Sequence, residues 1–306
     1  MSKIYFVGDV HLQEQSPISR KDSYPTSILN KLSEIGNLVK ENNIEAVIFS
    51  GDIFSTSAIT LKYFKRCVKA FRDIPCPCYS IIGNHDIPRN NLDLMEDSPL
   101  DLLFSVGVLK HLDTLEFNDV VIKGIDYTKD LVDSTKVLAE MNKGLDKYTI
   151  LVAHKYFNTP LFGADNITPD ELASLKYNMV FLGHAHDEYE DLDIQGTKLY
   201  RIGSLSRGTK ANSQLYRENI YVLEFDTLTK SYKRIKVPCL PISEAFKDKI
   251  FIEKQEEIQK NLDEILIKFE YSQEDSIYDY MDKIEIDKEI KDLITSYLEG
   301  RGIIRT

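Results

Sequence analysis

The sequence has little cysteine and no long apolar run, and both deficits narrow the class of protein. Its four cysteines, Cys67, Cys76, Cys78 and Cys239, are too few and too irregularly spaced for a disulfide framework or a closed zinc site. No segment approaches the roughly 18 apolar residues of a membrane span, and the N-terminal residues lack a signal-peptide pattern. We therefore expect reduced thiols and a cytoplasmic protein.

Positive charge is also scarce. The 306 residues have a formal net charge of −11, which by itself argues against nucleic-acid binding, because affinity for DNA depends on lysine and arginine at phosphates. The charge is unevenly distributed, since residues 241–306 contain seventeen acidic and ten basic residues. The first 240 residues are therefore only mildly acidic, and part of that acidity belongs to the candidate metal ligands described below.

Histidine is the third scarce residue, and its placement is the most informative feature of the sequence. Five of the six histidines lie in short polar clusters that each follow an apolar run. These clusters are Gly-Asp-Val-His at 8–11, Gly-Asp at 51–52, Gly-Asn-His-Asp at 83–86, a single histidine at 154, and Gly-His-Ala-His at 183–186. The sixth histidine, His111, stands alone on an apolar strand, and we interpret it as a satisfied core residue.

The first part of the chain alternates between strands and helices. Apolar runs predict strands at 3–7, 46–49 and 79–82, and helical periodicity predicts helices from residue 24 to about residue 40 and over 59–71. Such alternation is typical of parallel sheets, which place functional side chains at the carboxyl ends of strands. The first three polar clusters fall at these ends. The glycine in each lets the chain turn where a larger side chain would crowd the site.

The remainder of the chain predicts a second sheet. Strands are predicted at 114–117, 120–125, 148–153 and 179–182, and helices at 100–104, 131–141 and 170–176. The strands at 198–202, 220–225 and 232–237 then follow one another without helices, which indicates a second, more antiparallel sheet packed on the first. We therefore predict an α/β fold of four layers, α-β-β-α, with two mixed sheets in the centre and helices outside.

The composition changes after Pro238 and Pro241. Apolar residues at helical spacing predict two amphipathic helices, around 258–269 and 286–297. We therefore predict a catalytic domain over residues 1–240 and an acidic helical region over residues 241–306. Two interpretations of this region stay open: the helices dock on the catalytic domain, or they form a hairpin that binds a partner.

The polar clusters supply oxygen and nitrogen donors without thiolates, a set that suits manganese, iron or zinc at catalytic sites. Two ions need about four protein ligands each with one ligand shared, and a carboxylate can bridge ions about 3.5–4 Å apart. We predict Asp52 as this bridge. The predicted ligands are Asp9, His11, Asp52, Asn84, His154, His184 and His186.

These clusters follow the order D-x-H, G-D, G-N-H-D, H and G-H-x-H over residues 9–186, and this order resembles the calcineurin-like metallophosphoesterases. The resemblance implies that one metal binds Asp9, His11, Asp52 and His186, and the other Asp52, Asn84, His154 and His184. It also implies that His85 faces the scissile phosphate as a general acid or charge-stabilising group, with Asp86 orienting it. Two divalent ions would supply a bridging hydroxide that attacks phosphorus in line, without a covalent enzyme intermediate.

A closer resemblance is to the SbcD-type nuclease subunits of DNA repair and recombination complexes. It rests on Gly-Asp-Val-His-Leu at 8–12, Arg20 before the first helix, Ser-Gly-Asp-Ile-Phe at 50–54, Phe-Leu-Gly-His-Ala-His at 181–186 and Gly-Ser-Leu-Ser-Arg at 203–207. It implies that Arg20, Ser204 and Arg207 contact the substrate. A serine/threonine protein phosphatase is excluded, because Asp52 is followed by Ile-Phe-Ser-Thr and not by the further aspartate and arginine-glycine of that class.

The same resemblance implies a DNA exonuclease and endonuclease that uses manganese, with magnesium, iron or zinc as alternatives. It also implies an SbcC-like coiled-coil ATPase partner docked on residues 241–306, and a homodimer of the chain within a heterotetramer. The short tail favours a compact, phage-type member. An acidic pair of helices suits a basic protein surface better than DNA.

Two other functions stay open on the sequence alone. A stand-alone phosphodiesterase of small nucleotides would turn over a chromogenic diester without ATP or a partner. A non-catalytic scaffold is expected to have lost metal ligands, and none of the seven is missing here.

Overall fold

The structure is a computed structural model that describes residues 2–117, 119–127, 147–159, 166–208 and 217–247, with a few positions between 280 and 295. The chain divides into two compact units, Met1–Ala245 and Phe246–Thr306. The helices predicted at 131–141, 258–269 and 286–297 lie wholly or almost wholly outside the described residues. The assignment of 241–306 as a partner-binding region therefore stays a prediction. Within the described ranges, every helix is too short or too polar to cross a membrane.

The strands, in chain order, are β1 (Lys3–Val7), β2 (Ile44–Phe49), β3 (Cys78–Ser80), β4 (Lys110–His111), β5 (Thr114–Phe117), β6 (Val120–Ile125), β7 (Tyr148–His154), β8 (Tyr156–Phe157), β9 (Asn166–Ile167), β10 (Met179–Gly183), β11 (Leu192–Ile194), β12 (Thr197–Tyr200), β13 (Ile220–Asp226) and β14 (Tyr232–Val237). The described helices are α1 (Tyr24–Asn42), α2 (Leu61–Arg72), α3 (Pro99–Ser105), α4 (Pro169–Ser174) and α5 (Ile242–Ala245). Two 3-10 helices, Pro88–Asn90 and Leu92–Asp97, precede α3.

Local sequence explains where the two longest described helices begin and end. Helix α1 has a proline in its first turn, and it ends at Asn42. The next residue, Asn43, caps the helix, because its left-handed backbone lets its N–H donate to the Val39 carbonyl oxygen. Helix α2 begins after Thr60, whose hydroxyl accepts a hydrogen bond from the Tyr63 N–H at 3.2 Å. These helices connect β1 to β2 and β2 to β3, and so they set the positions of three ligand-bearing strand ends.

The first sheet has the strand order β14-β13-β1-β2-β3-β4. Its strands β1 to β4 are parallel, as the alternation of strands and helices predicted. The second sheet has the order β11-β12-β10-β7-β6-β5. Its four central strands are parallel, and antiparallel strands β5 and β11 form its edges. Both sheets are therefore mixed, and the polar clusters follow or end five of their parallel strands, β1, β2, β3, β7 and β10.

The predicted composition of the second sheet is partly wrong. Strand β12 belongs to it, but it runs parallel to β10. Strands β13 and β14 instead extend the first sheet, where β13 pairs antiparallel with β1 through partners such as Phe6 and Leu223. The alternation of apolar residues shows that a segment is a strand, but it does not reveal which sheet edge is free to accept it.

The layer arrangement is confirmed. The core between the sheets contains Phe6 from the first sheet and Phe181 from the second, with ring centroids 5.4 Å apart. A second core lies between the first sheet and helices α1, α2 and α3, and a third lies between the other sheet and α4. The described fold is thus a four-layer α-β-β-α sandwich, in which each sheet buries both faces.

His111 does not lie in a core. It ends the two-residue edge strand β4 and is exposed, with its Nε2 2.9 Å from Asp126 Oδ2. The prediction of a satisfied core histidine was therefore wrong. An edge strand leaves one side open to solvent, so an apolar neighbourhood in sequence does not ensure burial.

Candidate metal centre

The polar clusters converge because the two sheets present their carboxyl strand ends at one side of the molecule. Strands β1, β2 and β3 lead to Asp9 and His11, to Asp52 and to Asn84, respectively. Strand β7 ends with His154, and β10 leads to His184 and His186. The structure brings together all seven side chains that the sequence analysis selected as ligands, although their roles stay a prediction.

The first group of candidate ligand atoms comes from Asp9, His11, Asp52 and His186, and these atoms lie within 4.8 Å of one another. The Nε2 atom of His11 is 3.6 Å from Asp52 Oδ2, and that of His186 is 3.6 Å from Asp9 Oδ2. The two Nε2 atoms are 2.7 Å apart. Two carboxylates and two imidazoles therefore point at a common centre.

The second group consists of Asp52, His154 and His184, whose ligand atoms also lie within 4.8 Å of one another. The Nε2 atom of His154 is 3.3 Å from Asp52 Oδ2 and 3.0 Å from the Asn84 amide oxygen. Asp52 belongs to both groups, which is compatible with the bridging role predicted for it. The other candidate residues fall beside the same two groups as the ligand sets that the family pattern implied, and those assignments stay a prediction.

Burial and mutual charge control protonation in this centre. Burial lowers the pKa of His11 to about 3 and the pKa of His184 to about 3. Burial also disfavours charge on His154, but Asp52 and Asp9 outweigh it and raise the pKa of His154 to about 9. Burial acts to raise the pKa of Asp52, yet the positive charge of His154 holds this pKa well below its usual range. Neutral His11 and His184 keep ring-nitrogen lone pairs available to a cation.

Three candidate ligands adopt backbone conformations that are unusual for residues other than glycine. The φ angles are +54° at His11, +48° at Asp52 and +82° at His184. Such left-handed conformations cost of the order of 1–3 kcal/mol each and cluster at functional sites. Their presence at three ligands indicates that the surrounding structure holds these side chains in place.

Glycines next to the ligands allow the loops to approach closely. A methyl group on Gly83 would overlap the backbone nitrogen and Oδ1 of Asp52. A methyl group on Gly183 would lie 2.5 Å from Ser50 Oγ and 2.7 Å from Asp9 Oδ1. At both positions, glycine is therefore needed because atoms of the segments that follow other strands occupy the space.

The donors fit a pair of divalent cations. Within the part of the chain that the structure describes, Asp52 Oδ2 and His184 Nε2 are buried and have no hydrogen-bond partner. Buried polar atoms are normally satisfied, so these two atoms indicate a missing partner. Carboxylate, amide and imidazole donors suit hard or borderline divalent ions such as manganese, iron or zinc.

Comparison with protein families agrees with this centre. The family model for calcineurin-like phosphoesterases matches residues 2–188, which include every candidate ligand. The chain belongs to the calcineurin-like phosphoesterases.

A more specific similarity is to the DNA double-strand break repair protein Mre11 of Saccharolobus solfataricus, with 26% identity over 213 residues. The match covers 67% of this phosphoesterase chain and 54% of that protein, so the chain spans about half the length of its curated relative. The protein TT1561 of Thermus thermophilus matches in structure with a TM-score of 0.50 at 11% identity, over 78% of this chain and 99% of that one. Another crystal structure matches with a TM-score of 0.52 at 10% identity, over 77% and 99%. These structural matches support the fold alone.

His85 lies at the exposed rim of the phosphoesterase centre, where its ring centroid is 5.1 Å from that of His11. Its backbone N–H donates to Asp52 Oδ1 at 2.9 Å, and its Nδ1 lies 3.3 Å from the Ser55 carbonyl oxygen. The position is compatible with the predicted contact to a phosphate, because the ring is beside the first ligand group and open to solvent.

The predicted role of Asp86 is wrong. Its carboxylate is buried and accepts hydrogen bonds from the backbone N–H groups of Ile53, Phe54 and Gly83, at 3.3, 2.9 and 3.0 Å. It therefore joins the loops after β2 and β3, while the Ser55 carbonyl is the partner of the His85 ring. Burial, followed by the charge of Asp52, raises the pKa of Asp86 to about 7.

The predicted substrate contacts of Arg20, Ser204 and Arg207 are contradicted by burial. Arg20 pairs with Asp22 at 2.7 Å and donates to the Arg207 carbonyl at 2.9 Å. Ser204 donates to the Ser206 carbonyl at 2.8 Å, and Arg207 donates to the carbonyls of Arg217 and Leu240. All three side chains are buried and hold backbone segments together.

Sequence reasoning missed the groups that surround the second ligand group. The Ser50 carbonyl oxygen lies 2.8 Å from His154 Nδ1, and such a contact orients a ligating imidazole. The ring of Tyr156 is 4.0 Å from that of His184, and Tyr127 lies 5.9 Å from it. Tyr156 follows His154 by two residues, and this spacing was the only available signal. Tyr127 precedes His154 by 27 residues, so its position in the sequence gave no signal of this contact.

Proposed function

We propose that this calcineurin-like phosphoesterase hydrolyses phosphodiester bonds of DNA with the help of two divalent cations. The observation that supports the hydrolytic chemistry most directly is the sharing of Asp52 by two groups of ligand atoms, beside the rim histidine His85. An arrangement of this kind is suited to two ions held about 3.5–4 Å apart at a phosphoryl group.

The choice of DNA as substrate is supported by the similarity to the DNA double-strand break repair protein Mre11. The net charge of −11 does not oppose it strongly, because residues 241–306 contain much of the excess acid. Asp9 and Asp52 lie in the centre itself, where bound cations would offset their charge. The proposed activity is exonucleolytic and endonucleolytic, with manganese as the proposed native metal.

Each residue of the centre has a proposed task. Asp9, His11, Asp52 and His186 would hold one cation, and Asp52, Asn84, His154 and His184 the other. When bound, two divalent cations acidify a water molecule and offset negative charge on the phosphoryl oxygens. His85, on the solvent side of His11, would donate a hydrogen bond or proton to the substrate. The Ser50 carbonyl keeps the His154 ring oriented toward the centre.

The decisive experiment compares two substrates with the purified full chain in manganese. Labelled single-stranded and duplex DNA are assayed beside a chromogenic phosphodiester, before and after treatment with a chelator, and with an Asp52→Asn variant as the inactive control. We expect cleavage of DNA and of the small diester, loss of both on chelation, and recovery on return of manganese. Hydrolysis of the small diester without cleavage of DNA would support a small-nucleotide phosphodiesterase instead.

A partner is also part of the proposal. An SbcC-like coiled-coil ATPase would bind the acidic segment 241–306, and two copies of this chain would assemble with it. The excess of acidic residues in segment 241–306 supports this assignment, because an acidic segment suits a basic protein surface. Deletion of residues 241–306 should abolish co-purification with such an ATPase while hydrolysis of a small diester persists. Retained binding by the truncated chain would refute this assignment.

A further inference from the structure

Arg201 has the environment of a binding residue. It follows β12, and its guanidinium carbon lies 4.3 Å from the ring centre of Tyr189 and 5.1 Å from that of Phe157. The residue is 9% exposed, and its Nε is buried without a hydrogen-bond partner. The guanidinium forms neither a hydrogen bond nor an ion pair with any residue in the described ranges.

A nearby arginine provides the contrast. Arg234 pairs with Glu188 at 3.0 Å and with Asp191 at 2.5 Å, and it also donates to the Tyr189 carbonyl oxygen at 3.1 Å. Two carboxylates of the segment beside Arg201 are therefore already paired. Burial of a guanidinium without such partners costs free energy, which an anionic ligand would recover. Arg201 is thus positioned to accept an anion from outside the chain.

The location relates Arg201 to the metal centre. Tyr200 on β12 pairs with Phe181 on β10, so Arg201 lies beside the strand end that leads to His184 and His186. The Tyr189 N–H, three residues after His186, donates to the Arg201 carbonyl oxygen at 3.0 Å. Arg201 is therefore at the carboxyl ends of the parallel strands of the second sheet, where His154, His184 and His186 also lie.

The second stacking ring has a similar connection. Phe157 follows the ligand His154 by three residues, and its neighbour Tyr156 contacts the His184 ring at 4.0 Å. The two rings that hold the guanidinium therefore come from the chain segments that follow His154 and His184. Such stacking restricts the guanidinium plane, so less freedom is lost when it binds an oxyanion in a bidentate manner.

We propose that Arg201 binds a phosphate of the DNA strand that neighbours the phosphate held at the metal centre, while Tyr189 and Phe157 fix the plane of its guanidinium. This inference rests on the proposed DNA hydrolysis. A small diester contains one phosphate and cannot engage both positions. Arg201 would therefore favour polymeric over small substrates.

The test uses the salt dependence of DNA affinity to count the phosphates that the protein contacts. Binding of a labelled single-stranded oligonucleotide is measured at several salt concentrations in manganese, with the full chain carrying His85→Ala to slow hydrolysis. Arg201→Gln and Arg201→Lys are compared in this background. Lys198→Gln is the matched control, because it removes the same charge at the start of the same strand, where Lys198 pairs with Asp193. Thermal midpoint and manganese stoichiometry check that each variant is folded.

We expect Arg201→Gln to weaken oligonucleotide binding by about 5–20-fold and to reduce the slope of log affinity against log salt by about 0.7 to 0.9. Arg201→Lys should keep the slope and lose only part of the affinity, because it keeps the charge but not the planar fork. Lys198→Gln should show the same oligonucleotide affinity and the same slope as the His85→Ala background. An unchanged slope in Arg201→Gln, with DNA still bound and cut by the wild-type chain, would overturn the role of Arg201 alone. Absence of both DNA binding and DNA cleavage by the wild-type chain would overturn the proposed substrate as well.

Discussion

Arg217 donates a hydrogen bond from its guanidinium to the carbonyl oxygen of His186, a candidate metal ligand, at 3.3 Å. The same guanidinium donates to the carbonyls of Ile202 and Ser204 at 2.7 and 2.5 Å. Gly203 provides the space, since a Cβ there would lie 2.6 Å from the His186 oxygen and 2.9 Å from the Arg217 guanidinium carbon, at a φ of +73°. The Ser204 N–H also donates to the His186 carbonyl at 3.0 Å. Arg217 therefore positions the backbone of a ligand of the first group.

This contact predicts a selective loss of metal. Arg217→Lys replaces a planar group that reaches three carbonyls with an ammonium that cannot match their geometry. We expect manganese affinity of the first ligand group to fall by about 10–100-fold, with the second group largely unaffected. Manganese titration followed by electron paramagnetic resonance should then show a mononuclear signal in place of a coupled pair. Arg234→Lys, which contacts no ligand, is the control. Equal weakening of both sites would contradict this role.

The second prediction concerns Gly83, whose missing side chain leaves room for Asp52. Gly83→Ala would force the Asp52 carboxylate or its loop to move, because the added methyl group overlaps the Asp52 backbone nitrogen and Oδ1. We expect binding of two manganese ions to be lost and the melting temperature to fall, as for other overpacked sites. Gly107→Ala is the control, since a Cβ there meets no atom within 4 Å, although its φ of +71° also causes strain. Normal manganese stoichiometry in Gly83→Ala would show that the loop adapts.

The candidate ligands could be brought forward from the sequence because two independent signals coincide. Donor chemistry singles out Asp, Asn and His, and each candidate follows an apolar run that ends at the carboxyl edge of a sheet. Their convergence then requires only that the parallel strands be correctly identified. Strand-to-sheet assignment was harder, and β13 and β14 were placed in the wrong sheet, because pairing partners depend on which edge stays free.

Side-chain direction, like strand pairing, leaves little signal in the sequence. His85 and Asp86 are adjacent, yet His85 points to the solvent-exposed rim and Asp86 points inward to three backbone N–H groups. Arg20 and Arg207 were predicted as substrate contacts from the resemblance to the SbcD-type nucleases. They are buried because carbonyl oxygens of irregular segments accept their donors, and those carbonyls have no signature in the sequence.

The third prediction tests the role of the rim histidine. His85→Ala should leave manganese stoichiometry at two, because no ligand atom of either group belongs to His85. Hydrolysis should fall by about 10²–10⁴-fold, as is typical when a general acid is removed. His111→Ala is the matched control, since this exposed histidine pairs with Asp126 and touches no candidate ligand. Loss of manganese from His85→Ala would identify His85 as a ligand and refute its proposed role.

The fourth prediction is a pH dependence of stability at the ion pair between His111 and Asp126. The hydrogen bond that the protonated His111 ring donates to the Asp126 carboxylate raises the pKa of His111, and partial burial opposes this shift. A group whose pKa is raised by folding adds stability that is fully present below its unfolded pKa, about 6.5 for histidine. This stability is lost as the pH rises through the folded pKa. The pair should therefore stabilise the fold in mild acid and cease to do so in mild alkali.

Urea unfolding at about pH 5.5 and about pH 8.5, on either side of the ordinary histidine pKa, measures the effect. The variants are His111→Gln, Asp126→Asn and the double variant. The double-mutant cycle is needed because Asp126 Oδ1 also accepts the Ile82 N–H at 2.8 Å, so Asp126→Asn alone disturbs two contacts. Solvent screening limits the coupling to roughly 0.2–1 kcal/mol at the lower pH, because the His111 side chain is 43% exposed. A coupling free energy that increased toward alkaline pH would contradict this prediction, because it would mean that the pair stabilises the neutral imidazole.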